Sequence, residues 1–108
     1  MGKIKLVTFV PTSHANAVRK ALGDAGAGVI GDYTYCSYTV LGKGRYRSSD
    51  TSKPFIGEPG QFEEVEEERI EVVCDRIKAK AAIAAMRQAH PYEEVAFDIY
   101  PLLNEHEI

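Results

Sequence analysis

Residues 76–102 read RIKAKAAIAAMRQAHPYEEVAFDIYPL, and the spacing of their apolar residues changes half-way along. Ala79, Ala82, Ile83, Met86 and Ala89 recur every three or four residues, the stripe of an amphipathic helix. Beyond Pro91 the period is two: Val95, Phe97 and Ile99 alternate with Ala96, Asp98 and Tyr100, as along a strand. Proline lacks an N–H and disfavours helical geometry in the residue before it. A helix is therefore expected over 76–89, with Asp75 as its cap, and a strand over 94–102. The many alanines on the helix stripe allow close approach to a sheet.

The first half of the chain reads similarly. Ile4, Leu6, Thr8 and Val10 share one face of a strand over 3–10, and Val7 and Phe9 the other. Pro11 ends it, and Thr12 and Ser13 offer caps for a helix running to about Ala25. Its stripe is Ala15, Val18, Leu22 and Ala25, and Gly26 and Gly28 stop it. A strand rich in Tyr and Thr is expected over 32–41, with a turn at Gly42-Lys43-Gly44 and a ribbon through Arg45-Tyr46-Arg47. The Gly, Pro and Ser/Thr content of 48–61 marks a long loop. A third strand follows over 64–75, with Ile70, Val72 and Cys74 on one face. Val65 has the opposite parity, so a bulge or a still-irregular segment is expected before Ile70. The tail over 104–108 is polar and expected to fray.

The order β-α-β-β-α-β defines an α+β, ferredoxin-like sandwich of two helices on one face of a four-stranded antiparallel sheet. Right-handed crossovers place the first and third strands in the middle. Helices on one face leave the other bare. That bare face, with Val7, Phe9 and the tyrosines of the second strand, forms an apolar patch expected to be buried in a homo-oligomer.

A chain of 108 residues is one domain. It is 44% hydrophobic and 27% charged, with 16 acids against 13 bases and a net charge of -3, so it offers no basic face for nucleic acid. No apolar run reaches the length that spans a bilayer. Cys36 and Cys74 make neither a C-x-x-C motif nor a disulfide framework, and no leader-like apolar segment opens the chain. These features give the expectation of a cytoplasmic protein with free thiols. Glu63, Glu64, Glu66, Glu67, Glu68 and Glu71 read as a solvated strand, or more sharply as a cation-attracting rim.

The pentapeptide His90-Pro91-Tyr92-Glu93-Glu94 packs an imidazole, a phenol and two carboxylates into the second helix-to-strand joint. Three roles suit it. His90 can cap the helix's last carbonyls while the glutamates pair across an interface. His90 and Glu93 can ligate a divalent metal ion. His90 and a glutamate can also form an acid/base pair, although no nucleophile accompanies them. Elsewhere, Gly42, Gly44, Gly57 and Gly60 precede no helix and make no phosphate-binding fingerprint. His14 reads as solvent-facing and Cys36 as a small buried hydrophobe. Arg45, Arg47 and Lys53 can grip an anionic ligand from the long loop, whose length marks a functional or interaction arm.

An ordered series of motifs adds a family resemblance. Gly26-Ala27-Gly28, Ile30-Gly31-Asp32-Tyr33, Cys36-Ser37, Gly42-Lys43-Gly44, Pro54-Phe55-Ile56-Gly57, Glu64-Val65-Glu66-Glu67, the pentapeptide and Asp98-Ile99-Tyr100-Pro101 together resemble the insert domain of the Nif-three-like (YqfO-type) dinuclear-metal proteins. The pentapeptide is also similar to a step in the CutA divalent-cation tolerance proteins, which share their fold with the PII signalling proteins. The resemblance implies a stand-alone CutA/PII-like module without the metal-binding halves of its relatives, and hence no enzyme. It also implies a tendency to trimerise, and a region between the second and third strands that reaches a neighbouring subunit, a ligand or a partner. The expected function is non-enzymatic: binding a divalent cation or small ligand at subunit interfaces, or regulating a protein partner. Arg45, Arg47, Pro54, Phe55, Tyr92 and Glu94 would line the ligand cleft, with His90 and Glu93 toward a metal. A purely structural interaction module and a small enzyme using His90 and Glu93 are the alternatives.

Overall fold

A computed structural model describes residues 2–108 of the chain. The elements are β1 (Lys3–Pro11), α1 (Thr12–Asp24), β2 (Tyr38–Arg47), β3 (Phe62–Asp75), α2 (Ala79–Ala89) and β4 (Phe97–Pro101). Short 3-10 turns lie at Arg76–Lys78 and Glu105–Glu107. The sheet order is β2-β3-β1-β4 with every neighbouring pair antiparallel, so β1 and β3 are central. This is the expected α+β ferredoxin-like sandwich.

The core lies between the helices and one sheet face. Ile4, Leu6 and Val10 of β1 and Ile70, Val72 and Cys74 of β3 meet Ala15, Val18 and Leu22 of α1 and Ala82 and Met86 of α2. One ionic link crosses this layer. Arg19 Nη1 of α1 donates to Glu68 Oε1 at 2.6 Å and to Thr39 Oγ1 at 3.1 Å. Glu68 is only 7% exposed, so one member of the acidic run leaves the solvated face that composition assigns to it. The pair ties the first helix to two strands at once.

The face without helices is not as bare as expected. Val7 is fully buried. Lys5 Nζ reaches Glu71 Oε1 at 3.3 Å, Arg69 Nε donates to Glu71 Oε2 at 3.1 Å, and the Arg69 guanidinium lies 5.7 Å from the centre of the Phe9 ring. The long cationic stems and the ion pair roof over Val7, as amphipathic side chains do. Apolar exposure on this face moves outward to Tyr38, Val40 and Tyr100.

Several local expectations are corrected. β2 begins at Tyr38, while Ile30 and Tyr33 form an isolated bridge in the segment before it. Gly42-Lys43-Gly44 is no turn, because the three pair with Glu67, Glu66 and Val65 in the middle of a ladder that runs unbroken from Tyr38↔Glu71 to Arg47↔Phe62. That unbroken register also removes the bulge expected near Val65. Val65 is instead buried on the strand face opposite Ile70, where the 48–61 loop folds back. Neither Thr12, Ser13 nor Asp75 caps its helix. Ser13 bonds to the His14 ring, and Asp75 pairs with Lys3 at 3.1 Å. Before α2 the chain makes a 3-10 turn, and β4 is shorter than expected. The tail is ordered by a capping box between Asn104 and Glu107.

β2 and β3 outrun the rest of the sheet. β1 ends at Pro11↔Glu67, and the rows from Lys43↔Glu66 to Arg47↔Phe62 continue as a two-stranded ribbon. At strand rise those rows project about 17 Å. The molecule measures 48 × 27 × 23 Å, and its radius of gyration of 15.1 Å exceeds the roughly 13 Å of a compact chain of this length.

Candidate functional site

The joint after α2 is built from hydrogen bonds that hold the imidazole inward. His90 closes the helix in extended geometry, with its N–H donating to Met86 O at 3.0 Å. Its Nε2 donates to Phe9 O at 2.7 Å, and its Nδ1 accepts from the Tyr92 N–H at 3.2 Å. This network fixes the neutral Nε2–H tautomer. His90 is 7% exposed, and burial holds its pKa below the ordinary value of 6.5. Tyr92 then reaches across to β3, where its hydroxyl donates to Glu67 Oε2 at 2.7 Å. Burial, reinforced by this carboxylate, pushes the Tyr92 phenol well above its usual range.

The Tyr92 ring stands beside a cleft of about 940 Å³ at the root of the ribbon. Its floor is the helix-free sheet face, where Phe9, Arg69 and Val40 lie across one row of three strands. One wall is the 92–96 segment and the other is the 48–55 stretch of the long loop. The loop is strapped down at several points. Lys53 N–H donates to Glu93 Oε1 at 3.1 Å, the Tyr46 hydroxyl donates to Ile56 O, and Phe55 packs between Tyr92 and His14. Glycine makes the floor possible: a Cβ at Gly44 would stand 2.0 Å from Glu67 Oε1, so only a bare backbone lets that carboxylate lie across β2 toward Tyr92.

Arg45, Arg47, Pro54, Phe55, Tyr92, Glu93 and Glu94 all border this one cleft, and His90 sits behind it, its ring centre 4.8 Å from that of Tyr92 and tilted 57° to it. The arginines border it only with their stems. Arg45 and Arg47 alternate along β2 with Gly44 and Tyr46, so they face the other side of the ribbon. There Arg45 Nη2 pairs with Glu64 Oε1 at 2.6 Å, and Arg47 lies 5.8 Å from the centre of the Phe62 ring. His90 turns back to β1 while Glu93 turns to the loop, and both imidazole nitrogens are engaged. Among the described residues no three His, Cys, Asp or Glu side chains gather as a metal centre requires. His14, read as solvent-facing, is half-buried edge-on against Phe55.

Sequence reasoning missed Glu67, Tyr46, Phe9 and Ser48. One usable signal was present: Gly44 stands inside a strand pattern, where a glycine marks a close approach, and it is at Gly44 that Glu67 crosses β2, while Gly42 faces open space.

No protein-family model matches the chain. A protein of Halalkalibacterium halodurans called GTP cyclohydrolase 1 type 2 homolog is 48% identical over 103 residues, 95% of this chain and 28% of that protein. The protein of the same name in Bacillus subtilis (strain 168) is 50% identical over 98 residues, 91% of this chain and 26% of its own. The crystal structure of a Bacillus cereus protein related to NIF3 superimposes with a TM-score of 0.80 at 48% identity, covering 95% of this chain and 26% of that one. Over nearly its whole length the chain matches one domain-sized part of these Nif-three-like relatives. It spans about a quarter of the length of these relatives. The chain also superimposes on CutA of Xylella fastidiosa with a TM-score of 0.72, over 99% of this chain and 90% of that one. At 15% identity that likeness concerns the fold alone.

Proposed function

We propose that this domain is a non-enzymatic, homo-oligomeric binding module, assembled as a trimer, whose cleft takes a small ligand beside a subunit interface. The observation that carries the reading is the projecting ribbon with a half-open cleft at its root. A two-stranded arm is marginal in water unless it packs on something; Phe62 on this one is 85% exposed, and Leu41 at its root is 73% exposed. A neighbouring copy covers them and completes the cleft. The ligand's arrival then reaches partners through the Phe55 strap and the arm. Both nitrogens of His90 are committed to the backbone, which leaves no free imidazole beside the cleft and supports binding rather than turnover. On this reading the chemistry implied by the name of the full-length relatives belongs to the other three quarters of their chains.

The name of the CutA neighbour from Archaeoglobus fulgidus, a divalent cation tolerance protein, favours a cation as the ligand. The geometry favours a small molecule, because a metal at His90 must first displace a bond that holds the joint together. Thermal denaturation against a panel of metabolites decides between them. A small molecule is expected to raise the midpoint in the wild type and fail to do so in Phe55→Ala. A calorimetric titration showing saturable binding of Zn, Cu, Mn or Co that His90→Ala abolishes transfers the site to the joint and overturns the small-molecule reading.

A further inference from the structure

The cleft's own charges define what it accepts. Of the four basic residues that border it, Lys43, Arg45 and Arg47 point to the other side of the ribbon, where Lys43 and Arg45 lie by Glu64 and Arg47 by Phe62, and Arg69 is held by Glu71 and Phe9. Its three carboxylates are differently placed. Glu67 accepts only from the Tyr92 hydroxyl and Glu93 only from a backbone N–H, both neutral donors, and Glu94 has no partner among the described residues. Ser48 supplies a separate observation. It borders the same cleft, and its Oγ is buried without a hydrogen-bond partner. A buried hydroxyl left unpaired costs about 1–3 kcal/mol, so an N–H that reaches it recovers that cost. Around these oxygens stand Phe9, Tyr46, Phe55 and Tyr92, whose ring faces attract a cation and whose area binds an apolar body.

Resting on the ligand-binding reading above, we infer that the cleft selects an organic cation: a primary ammonium or guanidinium group carried on an aromatic or aliphatic body. The charged head sits among Glu67, Glu93 and Glu94, and the body lies against Phe55 and Tyr92. A bare metal ion is a poor match, because the carboxylates line an aromatic cleft of about 940 Å³ instead of converging on a point. That volume lies within the range of small-molecule sites, about 300–1,000 Å³.

The test is an amide-resonance NMR titration of the whole chain with two probes of matched size, 2-phenylethylammonium and 3-phenylpropionate. The ammonium is expected to move the Gly42, Gly44 and Phe55 amides saturably while the carboxylate leaves them in place. The Glu94 side chain makes no hydrogen bond among the described residues, so Glu94→Gln keeps the fold, and it is expected to weaken ammonium binding about fivefold, the scale of a half-solvated ion pair. Glu105→Gln, in the tail, leaves affinity unchanged. If the carboxylate binds as well as or better than the ammonium, or Glu94→Gln has no effect, the cation selectivity is wrong and the ligand cleft stands. If neither probe moves the cleft amides, the ligand-binding reading falls with it.

Discussion

Glu67 crosses β2 at Gly44, and that one missing side chain lets the ribbon speak to the joint after α2. In Gly44→Ala the carboxylate must swing aside, and the Tyr92 hydroxyl loses its acceptor. The expected cost is about 1 kcal/mol of unfolding free energy, seen as a lower urea midpoint. His90 gives a pH signature. Its folded pKa lies below 6.5 because the ring is buried neutral, so the unfolded chain takes up the proton first as pH falls. The stability that depends on the neutral ring is whole above pH 6.5 and declines as pH drops toward the depressed folded value. Urea midpoints measured across this window should fall with pH in the wild type, and the fall should be shallower in His90→Gln. A wild-type profile that is flat or rises on acidification contradicts the hydrogen-bonded neutral imidazole. None of this was legible from the sequence. His90 was visible as a helix-end residue, but its acceptor, Phe9 O, is 81 residues away.

At the scale of elements, periodicity was enough wherever one face is buried against the core. β1, α1, the Ile70-Val72-Cys74 half of β3 and α2 all lie where the apolar spacing puts them. It failed at β2, whose exposed Tyr38, Val40 and Leu41 face no core and leave no alternation to read. The start of β4 was lost for a related reason: of residues 94–96 only Val95 packs against the core, and Ala96 is held by Thr8 and Phe9 donating to its carbonyl. Two substitutions test how elements are joined. Gly28 has φ +79°, and a Cβ there would be 2.4 Å from Cys36 O, where the chain leaves α1 and bonds to Val73 O. Gly28→Ala is expected to cost about 2–3 kcal/mol from backbone strain alone, measured by chemical denaturation. Arg19→Ala leaves the Glu68 carboxylate buried without its cation, and is expected to cost about 3 kcal/mol. Adding Glu68→Gln should restore part of that loss, and a double variant no more stable than Arg19→Ala would show that the pair does not act through charge.

For the whole molecule, the β-α-β-β-α-β order was readable because each unit carries its own periodicity. The shape was not. The long loop was visible as a functional arm, but its fold-back onto Tyr46, Tyr92 and Glu93, and the cleft beneath it, depend on contacts between segments up to 40 residues apart. The resulting body is elongated, with an arm that exposes Phe62, Leu41 exposed at its root, and a helix-free sheet face that exposes Tyr38 and Tyr100. Surfaces of this kind mark interaction sites, and homo-oligomers with closed symmetry are the usual way to bury them. On the proposed reading, the projecting ribbon joins assembly to ligand binding. Multi-angle light scattering on the purified chain at micromolar concentration tests this most directly. A particle of three times the 11.9 kDa chain mass is predicted, and a homogeneous monomer contradicts the account.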